Sequence, residues 1–400
     1  MVSTVTAYTD LRNRALPGEG LDGVVRISTG GYYGTGVLLY DGQAVLTAAH
    51  LFQAGITNAT VHFETAAGTQ SVQSSGILIH PDYDDMNENN DLALVWLSRP
   101  APVAAERHEL YRQSDEVGQI ATLVGYGRPG TGAGGTIDYT DAPIRQKANN
   151  RIDADVGLLK QYMGSGMAWD PLAGTQLIAD FDNGKPANDA IGVLLGRPDL
   201  GVAGEGTITP GDSGGPAFIG GRVAGIASYT SSLSTNRSQP DIDSTLNSSY
   251  GEISAWQRVS AYQQWIDQSL RAHFTDVPTT PAEVKKAVAE GNGGAVSYAY
   301  FLLQFTGVRA TENEILSVDF ATRDGTATAG QDYLAVAGTL KLYPGENQAV
   351  IPVEIIGDYQ DEADETFYLD VSNPVGGSFG VGIATLTAVR TILDDDGTQL

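Results

Sequence analysis

The chain has 400 residues, of which 42% are apolar and 18% charged; these values suit two or three packed domains and exclude disorder as the dominant state. Its 23 Lys and Arg against 48 Asp and Glu give a net charge of −25, which repels phosphate backbones, disfavours nucleic acid as a partner and suits cations. With no cysteine, disulfide frameworks, thiolate metal sites and cysteine nucleophiles are excluded.

Forty-nine glycines and many Thr, Ser and Val residues favour short strands and turns over long helices. Residues Met1–Arg14 lack the apolar stretch of a signal peptide, so the chain is expected to begin after one. Strands are expected at 24–28, 36–40, 44–47, 60–63, 77–79, 93–97, 120–124, 190–195 and 223–228, separated by Gly, Asp or Asn breaks. Many strands at this spacing indicate a sandwich or barrel. A helix is expected over 255–271, with Ile266 and Leu270 on one stripe and Trp256, Val259 and Tyr262 on its neighbour. The Pro/Thr run at 275–281 reads as a linker. No run of about 18 apolar residues is present, so no membrane span is expected. Beyond it, residues 281–400 carry −12 of the net −25, with strands expected at 315–320, 339–342, 349–356 and 366–371 between acidic clusters.

Three separated stretches share one chemical logic. Leu46-Thr47-Ala48-Ala49-His50 runs an apolar strand into small residues, placing an imidazole at a strand end. Asp91 directly precedes the apolar strand Leu92-Ala93-Leu94-Val95. In Pro210-Gly211-Asp212-Ser213-Gly214-Gly215-Pro216, glycines let the backbone turn sharply around a serine and aim its N–H groups inward. A serine hydroxyl is a weak nucleophile that needs a base, and the base needs a carboxylate to hold its tautomer. Ser213, His50 and Asp91 supply that set, and the N–H groups of Gly211 and Ser213 an oxyanion hole. The remaining histidines, His62, His80, His108 and His273, lack partners at ligand spacing and are expected in turns or on the surface.

The motifs TAAH, DLALV and GDSGGP, in the order His, Asp, Ser, resemble the trypsin/chymotrypsin-like serine proteases. His80-Pro81-Asp82-Tyr83, Gly125-Tyr126-Gly127 and the helix add to the resemblance, which covers roughly residues 20–272. It implies a double β-barrel with the active site in the cleft between barrels. In such proteases the position six before the nucleophile floors the primary pocket, and here it is Thr207, not the Asp of a trypsin-like specificity. Thr230 would narrow the entrance, Ser254 would line the opposite wall, and Ser228 matches a position whose hydroxyl supports the catalytic Asp. The resemblance therefore implies a small or medium uncharged residue before the scissile bond. Family members commonly pair the Asp preceding the nucleophile with an N-terminal Ile or Val; Asp212 is present, but no Ile-Val-Gly-Gly occurs in the first 25 residues.

In the acidic tail, Glu290-Gly291, the run Val318-Asp319-Phe320-Ala321-Thr322-Arg323-Asp324-Gly325, Asp332-Tyr333, Gly357-Asp358, Asp364-Glu365-Thr366-Phe367 and Asp394-Asp395-Asp396 resemble a Calx-beta domain, an immunoglobulin-like calcium-binding sandwich, over nearly all of residues 285–397. Ca2+ takes about 6–8 oxygen ligands, and clustered loop carboxylates provide them. Positions matching the family's ligands are Glu290, Asp332, Asp358, Glu362, Asp394, Asp395 and Asp396, whereas Tyr359 replaces an acidic one.

The expectation is an all-β chain: an N-terminal segment over 1–22 that could act as a pro-region, a protease domain over 23–274 ending in a helix, a linker over 275–284 and a Calx-beta domain over 285–397. The resemblance implies a secreted or extracellular bacterial serine endopeptidase acting on protein or peptide substrates. Its chemical step needs no cofactor, while the second domain takes Ca2+ and engages a cell surface or protein partner. A calcium-dependent adhesin on an inactive protease fold is the rival from another class, and an esterase with poor peptide activity is a third reading.

Overall fold

Val24, Val25, Ile27, Val37, Leu38, Val45, Val61, Phe63 and Val95 are each fully buried, and the strands that carry them close around one core. The structure, a computed structural model, describes residues 2–52, 55–235, 238–293 and 296–396. Two compact units are present, Met1–Gln263 and Gln264–Leu400, with the division falling inside a helix. The last residue of the expected second domain, Gly397, lies outside the described residues.

The first unit opens with a closed barrel of Val24–Thr29, Tyr32–Leu38, Ala44–Thr47, Ala93–Leu97, Gly68–Ile79 and Thr60–Thr65 in that spatial order. Ala44–Thr47 pairs antiparallel with Ala93–Leu97, with Thr47 opposite Ala93. That register carries the chain after Thr47 and the chain before Ala93 to the same barrel end, which brings His50 to Asp91.

A seven-stranded sheet follows, in the order Gln146–Arg151, Ile120–Gly125, Pro216–Ile219, Arg222–Ser232, Glu252–Arg258, Gln176–Asp180 and Ala154–Asp155. Its core includes Leu123, Leu177, Ala217 and Trp256. Arg222–Ser232 and Glu252–Arg258 shift register between Ala227 and Tyr229, a bulge centred on Ser228. Residues of the expected N-terminal segment join this unit: Ser3–Thr4 lies between Gly206–Thr207 and Gly130–Thr131 in a small sheet, and Val2 is buried. Asp22 and Arg145 form a fully buried ion pair at 2.6 Å.

Three local expectations are corrected. Residues 190–195 form the helix Ala190–Leu195, not a strand, because the Asp189 carboxylate caps it by accepting from the Gly192 N–H and Gly196 ends it in the left-handed conformation. The helix expected from 255 begins at Val259 (Val259–His273); Ala255–Arg258 continue a strand, pairing with Gln176–Ile178 on one side and Gly225–Tyr229 on the other. His108 is a core residue against Phe218, where burial, aided by the Arg145 charge, lowers its pKa to about 4.

In the second unit a five-stranded sheet, in the order Ala287–Ala289, Thr385–Leu393, Glu365–Val375, Leu316–Asp324 and Ala337–Leu342, accompanies the antiparallel pair Val296–Gln304 and Gln348–Ile356. Alternate residues of both sheets, among them Phe301, Val318, Ile351, Val353, Phe367 and Leu369, share one core, the layout of a β-sandwich. Tyr333 stacks on Phe367 at 4.5 Å between ring centres.

Candidate active site

His50 sits in the short 3-10 turn Ala49–Phe52, two residues beyond Ala48 at the barrel end. Its Nδ1 lies 2.7 Å from Asp91 Oδ2, and its backbone N–H donates to Asp91 Oδ1 at 2.8 Å. The carboxylate thus holds both the ring and the backbone that carries it. Asp91 is fully buried, whereas the His50 side chain keeps 23% of its surface. Burial pulls the imidazole pKa down, but the hydrogen bond and charge of Asp91 outweigh it, and the net shift is upward.

Ser228, aimed by the bulge, donates its hydroxyl to Asp91 Oδ2 at 2.5 Å, and Gln257 Nε2 donates to Ser228 Oγ at 3.3 Å. Ser228 therefore holds the same carboxylate that holds His50. Asn90, at positive φ just before Asp91, is pinned by Asp82 O and by the Tyr262 hydroxyl.

Ser213 lies in a loop pressed against the barrel: its carbonyl accepts from Thr35 N at 2.9 Å, and Thr35 Oγ1 donates to Gly211 O at 2.9 Å. Gly214 has φ +81°, and a Cβ there would fall 2.0 Å from Thr47 Oγ1 and 2.9 Å from Ala48 N. Only glycine lets the serine loop approach the segment leading to His50 this closely. Among the described residues no hydrogen bond joins Ser213 to the His50 ring, a contact that commonly tightens only with substrate bound.

The N–H groups of Asp212, Gly214 and Gly215 are taken by Thr209 O, Ala227 O and Asp212 O. Those of Gly211 and Ser213 between them have no acceptor among the described residues. Asp212 is buried below the loop, its Oδ1 accepting from Gly127 N at 2.7 Å and its Oδ2 from Thr209 N at 2.9 Å. Burial raises its pKa against these backbone donors.

Of the expected pocket residues, Thr207 and Ser254 are buried and share a short hydroxyl–hydroxyl hydrogen bond, and Thr230 pairs with Ser254 across adjacent strands. Ser3 is the strand partner of Thr207. This support from the chain's beginning had no sequence signal.

The second unit gathers carboxylates into two groups in which one oxygen per residue lies within 4.8 Å of the others: Glu290 with Asp394 and Asp396, and Asp332 with Glu362 and Glu365. Glu290 is buried, and Asp396 Oδ2 is buried without a hydrogen-bond partner. Burial and the Asp358 charge push Glu290 up to about 7, and burial with Asp332 does the same to Glu365. Such oxygen-only donors fit a hard divalent cation. Asp358 and Asp395 stand outside both groups: Asp358 accepts from Gln360 N and Nε2, and Asp395 from Gly291 N. Glu365 joins the expected ligands as an additional candidate, hinted at only by the acidic run from Asp361.

The family model described as Trypsin matches residues 16–168, which include His50 and Asp91 but stop short of Ser213. The family model described as Calx-beta domain matches residues 303–396. An uncharacterized peptidase of Corynebacterium glutamicum is 24% identical over 288 residues, covering 72% of this chain and 82% of its own. Human sodium/calcium exchanger 2 is 34% identical over 154 residues, 32% of this chain, and the sodium/calcium exchanger Calx of Drosophila melanogaster 42% over 81 residues, 20% of this chain. The matched regions span only 17% and 8% of those exchangers. Mouse neuropsin, a solved serine protease, covers 64% of this chain with 98% of its own at 19% identity and a TM-score of 0.46. The chain thus combines a trypsin-like fold with a C-terminal region that matches the Calx-beta domain.

Proposed function

We propose that the protein is a secreted serine endopeptidase whose Ser213, His50 and Asp91 form the catalytic triad. The observation that carries this reading is the coincidence of an Asp91-held imidazole with two unclaimed N–H groups flanking one serine turn. Ser213 Oγ adds to the peptide carbonyl while its proton passes to His50 Nε2. The C–N bond then breaks as His50 returns that proton to the departing amine, leaving an acyl-enzyme ester. A water deprotonated by the same imidazole attacks the ester and frees Ser213. The Gly211 and Ser213 N–H groups stabilise the oxyanion in both steps, worth about 10²–10³ in rate per donor. The resemblance places Thr207, Ser254 and Thr230 around the primary pocket, where their short hydroxyl side chains favour a small or medium uncharged residue before the scissile bond.

The Calx-beta domain would hold Ca2+ on Glu290, Asp394 and Asp396 and on Asp332, Glu362 and Glu365, and through it rigidify or tether the enzyme. Bound calcium supplies positive charge that offsets crowded carboxylates, with no part in the chemical step. Cleavage of a peptide library by wild type, lost in Ser213→Ala, tests the endopeptidase reading. Turnover of esters without turnover of peptide amides would favour the esterase reading instead.

A further inference from the structure

The first unit contains a group of carboxylates that catalysis does not use. Asp180 ends the strand Gln176–Asp180, Asp182 follows it, and Asp189 precedes the helix Ala190–Leu195. One oxygen from each lies within 4.8 Å of the other two, and the three residues are 1%, 4% and 1% exposed. Glu205, also buried, accepts from Asp182 N at 3.1 Å. Among the described residues none of the four is ion-paired with Lys, Arg or His.

The three aspartates differ in how their oxygens are satisfied. Asp180 Oδ2 accepts from Ile191 N at 2.6 Å, and Asp189 accepts from Gly192 N at 2.6 Å and Asp199 N at 3.1 Å. The Asp182 side chain has no hydrogen bond among the described residues, and its Oδ1 is buried without a partner. A buried carboxylate that lies among two others and has an oxygen with nothing to accept from is a costly arrangement, and a cation between the three removes the cost. Carboxylates with no His or Cys select hard cations, and Ca–O distances of about 2.3–2.6 Å allow one ion to touch oxygens up to about 5 Å apart.

We propose that Asp180, Asp182 and Asp189 form a buried Ca2+ site in the protease unit, separate from the Calx-beta carboxylates. Glu205, tied to the Asp182 backbone, lies two residues before Thr207, so the ion also orders the segment that enters the substrate pocket. The site stands independently of the catalytic triad and of calcium binding by the second domain.

The test uses the full chain with Glu290→Gln, Asp332→Asn and Glu365→Gln, which disable both Calx-beta groups, and the same chain with Asp182→Asn added. Equilibrium dialysis against 45Ca is expected to leave one bound calcium in the first and none in the second. The amide keeps the shape of the side chain, and in EDTA Asp182→Asn should melt no lower than its parent, because an uncompensated buried charge is removed. Calcium should raise the melting transition of the parent and leave that of the Asp182→Asn chain unmoved. Absence of calcium from the first chain overturns the proposal whether or not the second folds. Equal calcium in two folded chains overturns it as well.

Discussion

Ser228 Oγ and Asp91 Oδ2 meet at 2.5 Å, on the same oxygen that His50 Nδ1 approaches at 2.7 Å. Asp91 thus divides one lone-pair region between a fixed hydroxyl and the imidazole. A hydrogen bond to a charged group is worth about 1.5–3 kcal/mol. Ser228→Ala should therefore lower kcat/KM by about tenfold or more, and the less satisfied carboxylate should move the acid limb of the pH–rate profile upward. An unchanged profile would remove Ser228 from this role.

His50 must be neutral to accept the Ser213 proton, and its pKa is raised in the folded protein. Activity should accordingly fall on the acid side at a pH above the ordinary imidazole value of about 6.5. The same shift has a stability consequence. A raised histidine pKa contributes stability that is fully present below its unfolded value and is lost as pH rises through the folded value. Asp91→Asn should cost more stability at acid than at alkaline pH, and urea unfolding at the two pH values checks the sign.

Gly211 has φ +100°, and a Cβ there would lie 2.7 Å from the Tyr33 ring and 3.0 Å from Gly127 Cα. Gly211→Ala should displace one oxyanion donor and lower kcat by about 10²–10³ while KM changes little. Steady-state kinetics on an ester and an amide substrate read this out.

Asp22 and Arg145 are each 1% exposed, and Arg145 also donates to the carbonyls of Ala15 and Val24. Removing one partner leaves a buried charge, which costs about 3–5 kcal/mol. Asp22→Ala should shift urea unfolding of the first unit by that amount, without altering the calcium response of the second.

Calcium should raise the melting transition of residues 285–397, EDTA should reverse it, and Glu290→Gln should weaken it. Without calcium the raised Glu290 carboxyl, at about 7, makes that unit lose stability as pH climbs from the ordinary carboxyl range through 7. Calorimetry with and without EDTA at pH 5 and 8 tests both statements; no EDTA shift contradicts calcium binding.

The triad candidates were legible because His50 and Asp91 flank apolar strands and Ser213 stands in a glycine-rich turn, and barrel register brings His50 to Asp91. Other features depend on contacts the motif does not carry. Ala190–Leu195 reads as an apolar strand because its six residues are too few to show helical period, and the Asp189 cap decides it. Ala255 and Trp256 fit a helical stripe, but pairing on both sides keeps them in the sheet. Glu365 is one acid within an acidic run, and only its placement beside Asp332 and Glu362 marks it as a clustered one. Asp180, Asp182 and Asp189 carry no motif, and only burial separates them from ordinary surface acids.

Peptide hydrolysis by this chain requires Ser213 to be an activated nucleophile. Incubating the full chain with diisopropyl fluorophosphate and mapping the adduct by mass spectrometry tests it most directly. One phosphoryl group on Ser213, with labelling lost in His50→Ala and activity lost in parallel, is the predicted result. A folded protein that leaves Ser213 unmodified would contradict the account and favour an adhesin on an inactive protease fold.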